Sequence, residues 1–302
     1  MPKHFKSHGK LLLTGEYVVL DGAKALAIPT TYSQTLEVSE QHTKAILWKS
    51  YDETESLWFE GAFQFKDGKF KTTSASDGDV AQRLVQILKV LDDLNPKIFQ
   101  DLTGVHFKTT QDFNRRWGLG TSSTLINNLA DWANIDAYAL LQETFGGSGY
   151  DIACAQQQSP LIYRLDNGEA SVESVDFNPE FKEHLYFVYL NEKKNSRDGI
   201  AYYKTQSKDL KAITEISAIT EALLDCTSFE TFKSLLETHE DLISKLTRQH
   251  KVSDQFKDFN GTLKSLGAWG GDFVLACSND DPTDYFKNKG FTVVIPYADM
   301  VL

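Results

Sequence analysis

The sequence predicts an α+β fold in two domains, and three observations lead to that prediction. The chain has 302 residues, of which 41% are hydrophobic, so it is long enough for two medium-sized domains with real cores. Its second half alternates helices and strands, which is typical of a small α+β sandwich. Its first third is rich in predicted strands, in which β-branched and aromatic residues lie between turn signals, at residues 10–20, 26–37, 45–48, 56–65 and 105–109.

The helices are predicted from apolar residues at helical spacing. One helix covers about residues 79–94 and stops at Asn95-Pro96. A second begins just after Gly120, where the next three residues carry hydroxyl groups suited to an N-cap. Further helices are expected near 208–224, 229–246, 253–266 and 283–288, and further strands at 161–165, 185–190, 273–277 and 291–296. We place the domains at residues 1–170 and 171–302, because the pattern changes near that boundary.

Composition excludes several classes of protein. Lys and Arg number 31 against 42 Asp and Glu, a formal charge of -11, so there is no broad basic surface for nucleic acid. The three cysteines, an odd number without a CxxC pair, argue against disulfides and zinc. No signal peptide or apolar run of the ~20 residues that span a membrane is visible. We expect a soluble, cytoplasmic protein without a membrane or nucleic-acid partner.

A glycine-rich segment joins a predicted strand to the second predicted helix. Glycines let the backbone pass close to phosphate oxygens, and a helix N-terminus offers unpaired N–H groups and the positive end of the helix dipole. The segment contains neither GxxxxGK[ST] nor GxGxxG, so an ordinary strand-to-helix turn is the alternative interpretation. It consists of Gly118, Leu119, Gly120, Thr121, Ser122 and Ser123.

Three other segments combine glycines with a charged residue. Lys10 enters a near-continuous apolar strand that is broken at Gly15-Glu16, although a lysine at a strand start is often simply solvated. Asp151 follows the turn GGSG at 146–149, where a carboxylate can either accept a hydroxyl proton or cap a helix. The cluster GAWGGD at 267–272 lies between a predicted helix and a predicted strand and is a candidate second phosphate-facing loop.

In this order, the segments resemble the GHMP kinase superfamily, named for galactokinase, homoserine kinase, mevalonate kinase and phosphomevalonate kinase. Members carry a GK…GE strand, a GLGSS loop, an SGxD segment and a GAGxGG loop. The corresponding segments here begin at Gly9, Gly118, Ser148 and Gly267, so the resemblance spans nearly the whole chain. It implies an N-terminal ribosomal protein S5 domain 2-like domain, a C-terminal ferredoxin-like α/β sandwich, and transfer of the terminal phosphoryl group of ATP to an alcohol or phosphate acceptor.

The resemblance also implies roles for individual residues. Lys10 would lie near the transferred phosphoryl group, and Asp151 would be the catalytic base. Ser122 would contact Mg²⁺, and Glu143 is the nearby candidate for a second metal contact, at a shorter spacing from the SGxD segment than in relatives. ATP and Mg²⁺ are therefore the expected cofactors.

The remaining implied contacts are with ATP and with the acceptor. Residues 118–123 would hold the ATP phosphates, together with Gly270 and Gly271 of the last glycine cluster. Acceptor contacts are implied for Glu16, Tyr17, Ser148 and Gly149. Further polar and basic residues either bind an anionic acceptor or are simply exposed; they are Arg115 and Arg116 before the glycine segment, and the polar-basic patch of Lys193, Lys194, Ser196 and Arg197.

Departures from the family pattern leave the acceptor open. Trp117 and Trp269 stand where smaller residues are usual, and Asn114 replaces a common proline. Tyr17 stands where mevalonate kinases usually have histidine, which resembles the phosphomevalonate kinase pattern. We expect mevalonate or phosphomevalonate, in isoprenoid precursor synthesis. The alternatives are homoserine or a sugar as acceptor, or a degenerate nucleotide-binding module without turnover.

Overall fold

The protein forms two compact units that each draw on several segments of the chain. A computed structural model describes residues 1–100, 104–192, 196–267, 269 and 272–302, without the side chains of 196–198. The contiguous domains 1–170 and 171–302 stay a prediction. The first unit consists of Met1–Gly9, Tyr32–Arg115 and Gly120–Gln156, and the second of Lys10–Thr31, Arg116–Leu119 and Gln157–Leu302.

The strands form a larger mixed sheet and a smaller antiparallel sheet. The strands are β1 (Lys3–Leu12), β2 (Ala25–Glu40), β3 (Ile46–Tyr51), β4 (Leu57–Lys66), β5 (Lys69–Ala75), β6 (Val105–Gln111), β7 (Leu161–Asp166), β8 (Glu169–Ser174), β9 (Leu185–Tyr189), β10 (Thr262–Ser265), β11 (Phe273–Cys277) and β12 (Val294–Pro296). The larger sheet has the order β5-β4-β3-β6-β2-β7-β8, with β1 paired to β2, and its β3–β6 pair is parallel. The smaller sheet has the order β10-β11-β9-β12. The predicted α+β class is confirmed.

The longer helices begin at side-chain caps that the sequence supplies. Asp77, Asp209 and Ser228 each accept a hydrogen bond from a backbone N–H of the first turn of the helix that follows them. Every helix in the described ranges is too short or too polar to cross a membrane. The helices are α1 (Gly78–Leu94), α2 (Lys97–Gln100), α3 (Thr121–Ala133), α4 (Ala137–Thr144), α5 (Tyr150–Gln156), α6 (Ser196–Tyr203), α7 (Leu210–Leu224), α8 (Phe229–Thr247), α9 (Thr283–Asn288) and α10 (Tyr297–Met300).

Each unit has its own apolar core. In the first unit, one face of the sheet, including Trp48 and Phe107, shares a single buried cluster with Leu88 of α1 and Leu129 of α3. In the second unit, the smaller sheet forms a cluster around Val188 and Val274. The alternating exposure along β3 and β6 follows the period of two that a half-buried strand requires.

Two predicted elements differ from the structure. The helix predicted at 253–266 is wrong: a 3-10 turn at Val252–Asp254 is followed by β10, whose four buried residues pair with β11. The dipeptide Asn260-Gly261, which precedes β10, is a turn signal that argues against a continuous helix over this range. The strand predicted at 10–20 ends at Leu12, because the backbone then turns at Gly15 (φ 85) and Tyr17 (φ 64).

Candidate active site

Lys10 is attached to the first half of the glycine-rich segment within the second unit. Its backbone N–H donates to the carbonyl oxygen of Leu119 at 2.9 Å, and its Nζ donates to the carbonyl oxygen of Gly118 at 2.9 Å. The Lys10 side chain is partly exposed. An ammonium fixed beside a glycine loop can neutralise charge on a phosphate that the loop binds.

Gly118 lies against the carboxylate of Asp272. The glycine has φ 69, and a Cβ at this position would lie 2.5 Å from the Asp272 carboxylate, so a larger residue would collide with it. Asp272 is the last residue of the GAWGGD cluster, and the sequence did not predict a role for it. The two glycines before it were the only sequence feature that could have indicated one. The structure thus places a cation, Lys10, and an anion, Asp272, at the same glycine.

The N-terminus of α3 belongs to the first unit. Its N-cap is Gly120, and no described side chain caps this end. The prediction of a hydroxyl N-cap is wrong, because a glycine occupies the N-cap position. The hydroxyls of Ser123 and Thr124 lie inside the helix and donate to the Gly120 carbonyl oxygen, at 2.8 Å and 3.2 Å. Ser122 is exposed. The first N–H groups of α3 therefore keep the capacity to bind an anion.

Asp151 lies in the first turn of α5, also in the first unit. The carbonyl of Gly149 accepts the N–H groups of Ile152 and Ala153, which starts the helix at this turn. Asp151 is partly exposed, whereas Ser148 is 8% exposed. Burial raises the pKa of Tyr138 to about 12, and nearby negative charges, among them Asp151, add to the increase. This phenol therefore stays protonated near neutral pH.

The predicted metal ligands are both exposed oxygen donors of the first unit. Ser122 opens α3, and Glu143 lies near the end of α4. Among the described residues, no group of three or more His, Cys, Asp or Glu side chains is arranged to hold a metal ion. Mg²⁺ commonly takes only one or two protein oxygens and completes its shell with water and nucleotide phosphates, so the exposed hydroxyl of Ser122 fits this ion. The Glu143 contact stays a prediction.

Glu16 and Tyr17 face the interior of the second unit. Glu16 is 1% exposed and pairs with Lys264, while Tyr17 is 7% exposed and stacks on Tyr203 with ring centroids 5.8 Å apart. Both side chains are buried, and their contacts with an acceptor stay a prediction. Lys264 is a residue that the sequence analysis missed, because a lysine within a short apolar run gives no sign of its partner.

The unusual tryptophans are packed side chains. Trp269 is 1% exposed and shares a buried cluster with Tyr17 and Tyr203. Trp117 packs edge-on against Phe273, with ring centroids 5.7 Å apart. Of the basic candidates, Arg115 is exposed and stacks over the Trp58 ring. Arg116 is also exposed, and the side chains of Ser196 and Arg197 are not described. The predicted residues Gly270, Gly271, Lys193 and Lys194 lie outside the described residues.

We expect the substitution Gly15→Ala to destabilise the protein by about 2–4 kcal/mol. Gly15 has φ 85, and an added Cβ would lie 2.6 Å from Ala25 Cβ and 2.9 Å from Ala25 Cα, so left-handed strain and overpacking add together. Gly68→Ala is the matched control, because Gly68 also has a positive φ (70) but nothing within 4 Å of the added Cβ. Urea unfolding should show a cost of only about 1 kcal/mol for the control. Equal costs for the two variants would contradict the role of Ala25.

Comparison with known proteins shows the fold. No family model matches the sequence, and no curated protein sequence matches it. Among solved structures, a Streptococcus pneumoniae phosphomevalonate kinase in complex with phosphomevalonate and AMPPNP is similar with a TM-score of 0.68 at 18% identity, over 98% of this chain and 96% of that one. The chain has the GHMP kinase fold.

Other structures with this fold give the same result. A Methanococcus jannaschii mevalonate kinase matches with a TM-score of 0.66 at 16% identity, over 96% of this chain and 94% of that one. A Lactococcus lactis galactokinase complexed with galactose matches with a TM-score of 0.67 at 12% identity, over 95% and 88%. The predicted resemblance to the GHMP kinase superfamily is confirmed for the fold. Kinases with this fold act on several different acceptors, so the fold alone does not identify the acceptor.

Proposed function

We propose that this protein is an ATP-dependent kinase that transfers the terminal phosphoryl group to mevalonate or phosphomevalonate in isoprenoid precursor synthesis. The observation that carries the proposal is the attachment of Lys10 to the glycine-rich segment, through hydrogen bonds of 2.9 Å to Gly118 and to Leu119. Likeness to kinase structures over at least 95% of the chain supports the reaction class. The protein would act as a cytoplasmic monomer or homodimer on a small-molecule substrate.

In the proposed reaction, an oxygen of the acceptor forms a bond to the γ-phosphorus of ATP. The bond from the γ-phosphorus to the bridging oxygen breaks, and its electron pair leaves with ADP. When the acceptor is a hydroxyl, its proton passes to the carboxylate of Asp151. Lys10 neutralises charge on the phosphoryl oxygens, and the first N–H groups of α3 bind the ATP phosphates. Bound Mg²⁺, with Ser122 as a ligand, would supply further neutralisation of phosphate charge.

The experiment that tests this function measures ADP release with mevalonate, phosphomevalonate, homoserine and galactose. We expect release with mevalonate or phosphomevalonate and none with the other two. Release with galactose alone would contradict the isoprenoid assignment. Binding of ATP without release for any acceptor would favour a nucleotide-binding module that has no turnover.

The variant Lys10→Met tests the role of the lysine in the same assay. We expect kcat/KM to fall roughly 10²- to 10³-fold, because the variant lacks the preorganised positive charge that faces the transferred phosphoryl group. Lys6→Met is the control, since Lys6 is an exposed lysine of the same strand. Equal activity of the two variants in folded protein would remove Lys10 from the mechanism.

A further inference from the structure

A cluster of four buried titratable side chains lies in the second unit. Glu16 comes from the turn after β1, His239 and Glu240 from α8, and Lys264 from β10. Each is at most 2% exposed. Charged side chains are rarely buried to this extent unless they are paired, so the cluster requires an explanation.

Lys264 occupies the centre of the cluster. Its Nζ donates to a carboxylate oxygen of Glu16 and to the carbonyl oxygen of Ser265, and it lies 3.3 Å from Glu240 Oε1. These three acceptors match the three N–H groups of an ammonium. Glu240 also accepts the N–H and the Oγ–H of Ser265, both at 3.1 Å. With both carboxylates ionised, one ammonium faces two negative charges in the interior.

His239 connects the cluster to the backbone of Gly15. The Gly15 N–H donates to His239 Nε2 at 3.0 Å, so the imidazole proton is on Nδ1. Burial, reinforced by the charge of Lys264, lowers the pKa of His239 well below its usual value, and the ring stays neutral. The Oε2 atom of Glu16 lies 3.4 Å from the same Nε2 and has no hydrogen-bond partner among the described residues.

The turn held by this cluster continues directly from the strand of Lys10. Between them, Leu11, Leu12 and Leu13 are at most 5% exposed, so this part of the chain is packed along its length. A packed strand is shifted as a whole when its end moves, because close-packed interiors transmit displacement. The position of Lys10 therefore depends on the turn at Gly15.

We propose that His239 and Lys264 are positioning residues for Lys10: they fix the Gly15–Glu16 turn, and protonation of Glu16 loosens it. A proton on Glu16 Oε2 would be donated to His239 Nε2, whose single lone pair already accepts the Gly15 N–H. The two donors then compete. The kinetic part of this inference rests on the proposed function, whereas the effect on the turn does not.

The charges around Glu16 place this competition near neutral pH. Burial raises the pKa of Glu16 from 4.5 to about 7; Lys264 opposes the increase, and the charge of Glu240 adds to it. His239 and the phenol of the adjacent Tyr17 are the other titratable groups that face this carboxyl, and both are neutral in this range. Above about pH 7 the Gly15 bond is intact, and below it the Glu16 proton competes for Nε2.

The direct test measures the hydrogen-exchange protection factor of the Gly15 amide in the wild type and in His239→Gln. A glutamine carbonyl has two lone pairs and accepts both donors. We expect wild-type protection to fall at least severalfold between about pH 8 and about pH 6, and protection in His239→Gln to stay constant. Wild-type protection that is flat across this range would overturn the proposal.

Kinetics test whether the turn positions Lys10. We expect His239→Leu, which removes the acceptor, to lower kcat by about 10- to 100-fold. With mevalonate as the acceptor, His239→Gln should restore kcat at about pH 8 and lessen its fall toward about pH 6. His250→Gln, at a histidine whose side chain is 96% exposed, is the matched control and should keep the wild-type profile. If His239→Leu does not fold, the pH profiles of the wild type and His239→Gln still decide the question, because identical profiles would overturn the proposal.

The two proposals fail in different ways. A wild type that releases no ADP refutes the kinase function, and the Gly15 exchange experiment then tests the turn alone. If the wild type is active but neither its kcat nor its Gly15 protection changes as Glu16 is protonated, the positioning role is refuted and the kinase function is not.

Discussion

Replacing Asp151 by asparagine is expected to lower kcat by about 10²- to 10⁴-fold when the acceptor is a hydroxyl. Asparagine has the shape of aspartate but cannot take the proton that leaves the attacking oxygen. Asp151 is partly exposed in the first turn of α5, so the change leaves no buried group without a partner. Steady-state ADP release, with circular dichroism to verify folding, measures the effect.

The same variant distinguishes the two proposed acceptors. The second pKa of a phosphomonoester is about 6, so the phosphate of phosphomevalonate is already ionised at about pH 8. Its attacking oxygen therefore needs no base to remove a proton. We therefore expect a large loss of kcat with mevalonate and a much smaller one with phosphomevalonate. Asp93→Asn is the control, because Asp93 is an exposed aspartate on α1 of the same unit. A folded Asp151→Asn protein with wild-type kcat on mevalonate would remove the base from the mechanism.

Local sequence patterns were sufficient to predict most of the fold. The helices α1, α7, α8 and α9 follow from apolar residues at helical spacing, and this signal is local in the chain. Strand β10 was missed because its identity depends on pairing with β11. Such pairing is a tertiary interaction, which overrides the intrinsic preference of four residues.

The candidate site was predicted less completely than the fold. The motif order identified Lys10 and the glycine-rich segment, and the structure joins them through Gly118. The contact of Asp272 with Gly118 was not predictable, since more than a hundred residues separate them in the sequence. The buried role of Glu16 was missed for the same reason: its partner, Lys264, is 248 residues away.

Removing the cation of the buried cluster should have the largest effect on stability. We expect Lys264→Met to destabilise the protein by about 3–5 kcal/mol at about pH 8. Methionine approximates the length of the lysine stem but leaves the carboxylates of Glu16 and Glu240, which are 1% and 2% exposed, without their ammonium. Urea unfolding monitored by circular dichroism measures the cost. Lys251→Met is the matched control, because Lys251 pairs with Asp241 of α8 at a solvent-exposed position and should cost less than about 1 kcal/mol.

The destabilisation caused by Lys264→Met should depend on pH with a definite sign. The folded pKa of Glu16, about 7, is above its ordinary value of 4.5, so ionisation of this group opposes folding as pH rises through that window. Loss of the Lys264 charge raises the folded pKa of Glu16 further and also removes a charge that lowers the pKa of His239. Both changes make protonation of the folded state easier. The difference in unfolding free energy between variant and wild type should therefore be smaller at about pH 5 than at about pH 8, and a difference that is constant or larger at low pH would show that the buried carboxylates do not carry the cost.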